Sequence, residues 1–209
     1  YWSNITEQKC LSSNATGASN TPDGNMVEKG GQGYQLRATT PSQRKVYYQN
    51  GDQLELLASS SLSASQVGAS TDAERDLLLN WARGYNNRAD DAQDNFISSS
   101  AMRPSAHGDV VHSRPVAINF GTDAIPDVTV FYGTNDGLLH AVDGDRGDGQ
   151  ERWAFLPQEF YPHIKRLRDN TQQIYYPGLE IEEEGNRKNY GFDGPLASYQ
   201  ALDNPDDTR

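Results

Sequence analysis

Three carboxylates fall within six residues in the stretch Asp143-Gly144-Asp145-Arg146-Gly147-Asp148-Gly149. Hard cations such as calcium take several oxygen ligands from one flexible loop, and closely spaced Asp side chains supply them. Asp143, Asp145 and Asp148 therefore make a candidate calcium loop. The spacing departs from the EF-hand pattern: the third Asp comes one position late, and Ala154 stands where a bidentate Glu belongs. The competing reading is an acidic, solvated hairpin loop. His107 and His112 flank Asp109, which suits a metal pair or, more simply, hydrogen bonds between His112 and Asp109 at the start of a strand. His140, in a strand beside Ala141, reads as a satisfied packing histidine. The acid run Glu180-Ile181-Glu182-Glu183-Glu184 precedes Gly185-Asn186-Arg187 and reads as a solvated loop rather than a paired-carboxylate site.

Nucleophile and cofactor motifs are missing from the sequence. There is no GxSxG elbow, no Gly-Lys-Ser/Thr phosphate loop, no GxGxxG after a strand and no HExxH. Cys10 is the single cysteine, so this stretch has no internal disulfide and no thiolate cluster. Asn4-Ile5-Thr6 and Asn14-Ala15-Thr16 match the glycosylation sequon, as chance permits in so Asn-, Ser- and Thr-rich a stretch. No catalytic residue is assigned, and the chain is expected to be non-enzymatic.

Charge narrows the partners. With 18 Lys and Arg against 29 Asp and Glu, the 209-residue chain carries −11, which speaks against nucleic acid and against electrostatic docking on anionic lipid. Only 35% of residues are apolar and mean hydropathy is −0.80, low for a compact domain, yet 11 Tyr and 3 Trp are too many for a disordered chain. Ordered patches between long polar loops are expected. No apolar run approaches the ~18 residues that span a bilayer. The chain opens on Tyr1 without a signal-peptide pattern, so it is expected to be a mature product or a piece of a longer protein.

The elements follow from pattern. Residues 1–44 are punctuated by turns, with a short strand or helix opening at 33–36. Val46 and Tyr48 before Asn50-Gly51, and Leu54 and Leu56 after it, predict a hairpin over about 45–57 with Asn-Gly in the turn. Residues 59–70 read as a Ser-rich linker. Thr71-Asp72-Ala73-Glu74 is a capping box, Leu77, Leu78, Trp81 and Ala82 form an apolar stripe, and Gly84 is placed to stop a helix over about 72–83. Residues 85–107 read as polar loop. Beyond 108 four strands are expected: Val110-Val111 with 116–120, then 128–132, 138–142 and 152–156. Asn135-Asp136-Gly137 supplies a tight turn. Such a meander describes one blade of a β-propeller, which needs neighbours on both faces. A short helix over 158–168 follows, with Phe160, Ile164 and Leu167 in step. Residues 170–192 are polar and Tyr-rich, and Asp193-Gly194-Pro195 reads as the start of a second blade. The fold class is thus mainly β: residues 1–107 form a mixed α+β segment upstream of the propeller, and residues 108–209 a propeller fragment.

These motifs resemble the PilY/PilC family of type IV pilus proteins. The resemblance rests on Gly108-Asp109-Val110-Val111-His112-Ser113-Arg114-Pro115-Val116 and on Val130-Phe131-Tyr132-Gly133-Thr134-Asn135-Asp136-Gly137-Leu138-Leu139-His140-Ala141. It extends through Trp153-Ala154-Phe155-Leu156-Pro157-Gln158-Glu159-Phe160 with Lys165-Arg166-Leu167 and Asp169-Asn170, and through Tyr190-Gly191-Phe192-Asp193-Gly194-Pro195. Residues 23–36 and Leu79-Asn80-Trp81-Ala82-Arg83-Gly84 resemble the segment ahead of that propeller. About half the chain is covered, and 108–170 is the specific part. The loop after the third strand is also similar to the quinoprotein repeat, with Ala141, Asp143, Gly147 and a docking Trp153. Arg146 replaces the usual Thr, and Asp148-Gly149 lengthens the loop.

The resemblance implies a non-catalytic pilus assembly factor and tip-associated adhesin. It would be exported through the periplasm to the pilus tip, outer membrane or extracellular space. Its implied partners are minor pilins, a host or abiotic surface ligand, and the remainder of its own propeller. Such proteins bind calcium, at a loop the resemblance does not place. Tyr175, Tyr176, Tyr190 and Tyr199 are the candidate interface contacts, or else packing residues within the propeller, since Tyr gives large amphipathic area at low entropic cost. Rival readings are a quinoprotein-type dehydrogenase propeller, which a lone Cys10 does not favour, and an outer-membrane assembly scaffold.

Overall fold

The computed structural model describes residues 31–88, 98–103, 106–144, 149–169 and 190–199. In chain order the elements are α1 (Gly31–Ala38), β1 (Val46–Asn50), β2 (Gln53–Leu56), α2 (Asp72–Arg83), β3 (Tyr85–Asn86), β4 (Ser98–Met102), β5 (Val116–Asn119), β6 (Val128–Gly133), β7 (Leu139–Asp143), β8 (Glu151–Leu156) and α3 (His163–Asp169). Six strands form one open mixed sheet in the order β2-β1-β8-β7-β6-β5, and β3 pairs with β4 apart from it. The fold is therefore mixed α and β.

The expected meander is present. β5 to β8 pair in sequence, each antiparallel to the next. Val110 and Val111 lie outside it, on exposed chain. The turn after β6 closes through Thr134 N–H to Leu138 O at 3.0 Å, with Gly137 at φ +84°.

The hairpin β1–β2 is also present, one position out of the expected register. Asn50 pairs with Gln53, so Gly51 and Asp52 make the turn, and Gly51 supplies the positive φ. What the sequence does not announce is the hairpin's attachment. β1 lies parallel to β8, with Val46 opposite Ala154 and Tyr48 opposite Leu156. The upstream segment and the meander thereby share one sheet and one core.

That core lies on one sheet face. Val46, Tyr48, Ala154 and Leu156 pack there with Leu78, Leu79 and Ala82 of α2, Tyr161 and Ile164 near α3, and Leu57, Leu62, Val67 and Leu138. Helix α2 begins as its capping box dictates: Glu74 N–H donates to Thr71 Oγ1 at 3.1 Å, and the Glu74 carboxylate reaches back to Ser70 N–H at 2.7 Å. It ends at Gly84, at φ +108°. The buried stripe is Leu78, Leu79 and Ala82 rather than one containing Leu77, which is exposed; Leu79 takes its place facing the sheet.

Three further expectations are corrected. The Ser-rich 59–70 stretch is folded, because Leu62 and Val67 anchor it in the core around a 3-10 turn at Ser65–Val67. The loop expected over 85–107 contains β3 and β4. The helix expected over 158–168 divides into a 3-10 turn at Gln158–Phe160 and α3, with Pro162 immediately ahead of α3.

Candidate functional site

A change of register in the sheet creates the most unusual chemistry. Trp153 lies opposite Ala141, but Glu151 lies opposite Val142, so Arg152 is an extra residue in β8. Regular alternation would put Glu151 and Trp153 on the same face. The bulge instead turns Glu151 to the buried face that carries His140 and Val142, as bulges commonly re-aim side chains.

There Glu151 meets two partners. Arg44, two residues before β1, forms a two-pronged pair with it: Nε donates to Oε2 at 2.7 Å and Nη2 to Oε1 at 2.9 Å. Both side chains are nearly sealed, at 1% and 4% exposure. His140 Nδ1 lies 2.7 Å from Glu151 Oε1, and its Nε2 lies 3.0 Å from Thr134 Oγ1. The Thr134 hydroxyl also reaches Leu138 O at 3.1 Å and Asp136 Oδ1. Burial alone would raise the Glu151 carboxyl; the Arg44 guanidinium and His140 outweigh it and hold the group well below the usual carboxylate range.

Hydroxyl, imidazole and carboxylate in this order are the parts of a nucleophile–base relay. Here they brace the fold. Thr134 is 1% exposed and His140 fully buried, and the hydroxyl faces the β6–β7 turn. Three buried polar atoms around this network have no hydrogen-bond partner: Arg44 Nη1, Asn135 Nδ2 and Asp136 Oδ2. An open groove of about 530 Å³ runs past its outer end, lined by Leu36 of α1, Gln43, Lys45, Glu151 and Arg152 among others.

His107 joins the network from the strap 106–113. Its Nε2 lies 2.9 Å from the Tyr132 hydroxyl, and its ring lies 4.9 Å from that of His140. Tyr132 stacks on His140 at 5.2 Å. Burial first, then His140, lowers the His107 ring to about 4. Burial, together with the Glu151 and Asp136 charges, pushes the Tyr132 hydroxyl up.

The opposite face of the sheet is apolar and only half covered. Val116, Phe131, Ala141 and Trp153 form one cross-strand row; Leu139, Phe155, Tyr47 and Leu56 form the next. Phe131 packs on Trp153 at 5.8 Å and edge-on against Phe120 at 6.3 Å. Leu54 and Leu56 at the β2 edge are 64% and 56% exposed. Phe192, from the chain beyond the meander, sits where a Gly133 side chain would project, on the same side of β6 as Phe131.

The residues singled out by sequence are spread among these features. Asp143 lies at the end of β7, and its carboxylate pairs with Arg152 at 3.1 Å, which also holds Asp127. Asp145 and Asp148 lie outside the described residues, as do Cys10, the acid run at 180–184, Tyr175 and Tyr176. Among the described residues no three His, Cys, Asp or Glu side chains converge on a metal position. Trp153 is half-buried on the open face, not sunk in the core. His112 pairs with Asp193 and packs on Tyr190 at 4.7 Å; that contact stands in place of the hydrogen bonds expected with Asp109, because the downstream chain folds back over the strap. Asp109 contributes its carbonyl, which accepts from Asn135 N–H at 3.0 Å. His140 is the satisfied packing histidine expected. Tyr190 is partly exposed and Tyr199 is 69% exposed, and residues 190–199 form no strand. Sequence reasoning missed Arg44 and Glu151, which stand 107 positions apart. The available signal was His140, a titratable residue in a strand otherwise apolar on that face. Compared against known protein families, curated proteins and solved structures, the chain matches none.

Proposed function

We propose that the chain is the opening of a propeller-bearing, non-catalytic component of type IV pili of the PilY/PilC kind. It supports pilus assembly and contributes to adhesion at the pilus tip after export through the periplasm. The supporting observation is the sheet's second face. An apolar face left open on a four-stranded meander is what a blade offers a neighbouring blade, although here α2 and α3 occupy the other face, where a closed propeller sets a second neighbour. Phe131 and Trp153 stand at the middle of that face, and the rings meet at tilted angles, which suits an interdigitating protein layer. Residues 190–193 run onto the same face at Gly133, as the first chain of a following blade would. On this reading the minor pilins are the partners, and Tyr190 and Tyr199 are contact residues.

A clean deletion tests the reading. Surface piliation and twitching should fall, and the protein should co-purify with sheared pili. Unchanged piliation, motility and adhesion, with the protein retained in the cytoplasm, would refute it.

A further inference from the structure

The strap 106–113 is laid across β6 and the β6–β7 turn by a short set of ties. Gly133 N–H donates to Ser113 Oγ at 2.8 Å, Asn135 N–H to Asp109 O at 3.0 Å, and His107 bonds Tyr132. Gly108 is pressed on the turn so closely that a Cβ there would stand 2.8 Å from Asp136 N. The downstream chain is held from two sides: His112 of the strap pairs with Asp193, and Phe192 N–H donates to Thr134 O of the β6–β7 turn at 3.3 Å.

We infer that this strap is an acid-sensitive latch, in which charging of His107 lifts 106–113 from the β6–β7 turn and releases the 190–193 segment with it. The groups around His107 make charging costly. Tyr132 comes from β6, His140 from β7, Asp136 from the turn, Glu151 from β8, and Arg44 from ahead of β1. Asp136 and Glu151 favour the imidazolium, but Glu151 is already bonded to Arg44 and His140. Burial, His140 and Arg44 prevail. The closed strap thus binds its proton at about 4, against 6.5 for a free ring. Closure is at full strength above pH 6.5, weakens about tenfold per pH unit below it, and levels off below about 4, an opening increase of roughly 300-fold. The rest of the fold is anchored elsewhere, because the strap contributes no side chain to the apolar core that β1 and β8 share.

Hydrogen exchange on the whole 209-residue chain tests the latch, with rates corrected for intrinsic pH dependence. In wild type, amides of 106–113 and 190–193 should open progressively from pH 7 to 4.5 while β1 and β8 remain protected. His107→Phe keeps a ring against Tyr132 and His140 and should show no such acid response. An equal response in that variant, or wild-type opening that spreads to β1 and β8 in step, would overturn the inference. Should His107→Phe fail to fold, the wild-type imidazole signals decide. A His107 ring that titrates near 6.5 with strap amides still protected refutes the latch; one that titrates near 4 as the strap signals shift supports it.

Discussion

Replacing Glu151 with Gln should remove a large part of the chain's stability. The substitution keeps the shape of the side chain but leaves the Arg44 guanidinium without its counter-charge at 1% exposure. It also converts three carboxylate contacts, at 2.7, 2.9 and 2.7 Å, into at best one neutral acceptor at the Oε1 position and an amide donor turned against the Arg44 Nε–H. Breaking a buried pair from one side leaves an uncompensated charge and costs about 3–5 kcal/mol, against a total of roughly 5–15 kcal/mol for a domain. The Arg44→Met, Glu151→Gln double variant removes that charge and should recover about 2 kcal/mol relative to Glu151→Gln alone. Urea unfolding followed by Trp fluorescence reports this directly, with Trp81 beside the core and Trp153 on the same strand as Glu151. The pH dependence supplies an independent check. A carboxyl depressed in the fold stabilises fully above its unfolded value of 4.5 and loses that contribution as pH falls toward its folded value. Wild type should therefore weaken below pH 4.5 more steeply than Glu151→Gln. A Glu151→Gln variant within 1 kcal/mol of wild type, or a double variant worse than it, would refute the reasoning.

Three other outcomes are expected. Gly84→Ala should cost about 1–2 kcal/mol through its left-handed backbone, and somewhat more because the new methyl overlaps Met102 Sδ; thermal melts check it. Calorimetry should find equal calcium uptake by wild type and an Asp143→Ala, Asp145→Ala variant, because Asp143 is committed to Arg152; a clear loss of uptake would establish the loop as a calcium site. Added pyrroloquinoline quinone and calcium should give neither stoichiometric binding nor dye reduction, and turnover would favour the quinoprotein reading.

Local signals carried the elements that were legible. Thr71, Glu74 and Gly84 bracket α2 because capping is decided within one turn, and Asn135-Asp136-Gly137 locates the β6–β7 turn for the same reason. The alternating apolar residues of 128–133 and 151–156 were enough to place their strands. Two classes of fact stayed hidden. One is the parallel joining of β1 to β8, because strand pairing across a long connection leaves no mark in either strand's own pattern. The other is the bulge at Arg152, which moves Glu151 to the buried face although simple alternation puts it with Trp153. The Arg44–Glu151–His140 network needs both, so although His140 read as a packing histidine, its partners Arg44 and Glu151 were not readable. The Asp193 partner of His112 was hidden likewise, since it depends on chain returning from far downstream.

The β1–β8 pairing also sets the order of events during synthesis. The residues it joins are separated by about half the chain, as the 107-position span from Arg44 to Glu151 shows. Closing a loop of that size costs about 4 kcal/mol in chain entropy beyond the length-independent part. The core side chains of residues 31–88 wait for Leu138, Ala154, Leu156, Tyr161 and Ile164 to complete their packing. At ~5–20 residues per second the nascent chain spends several seconds or more with Val46, Tyr48 and the α2 stripe uncovered. Through that interval β1 lacks its parallel partner, and the sheet that joins the two halves of the chain cannot close. A chain that must cross a membrane before it folds is served by such a delay, and one that must fold in the cytosol is exposed to aggregation by it.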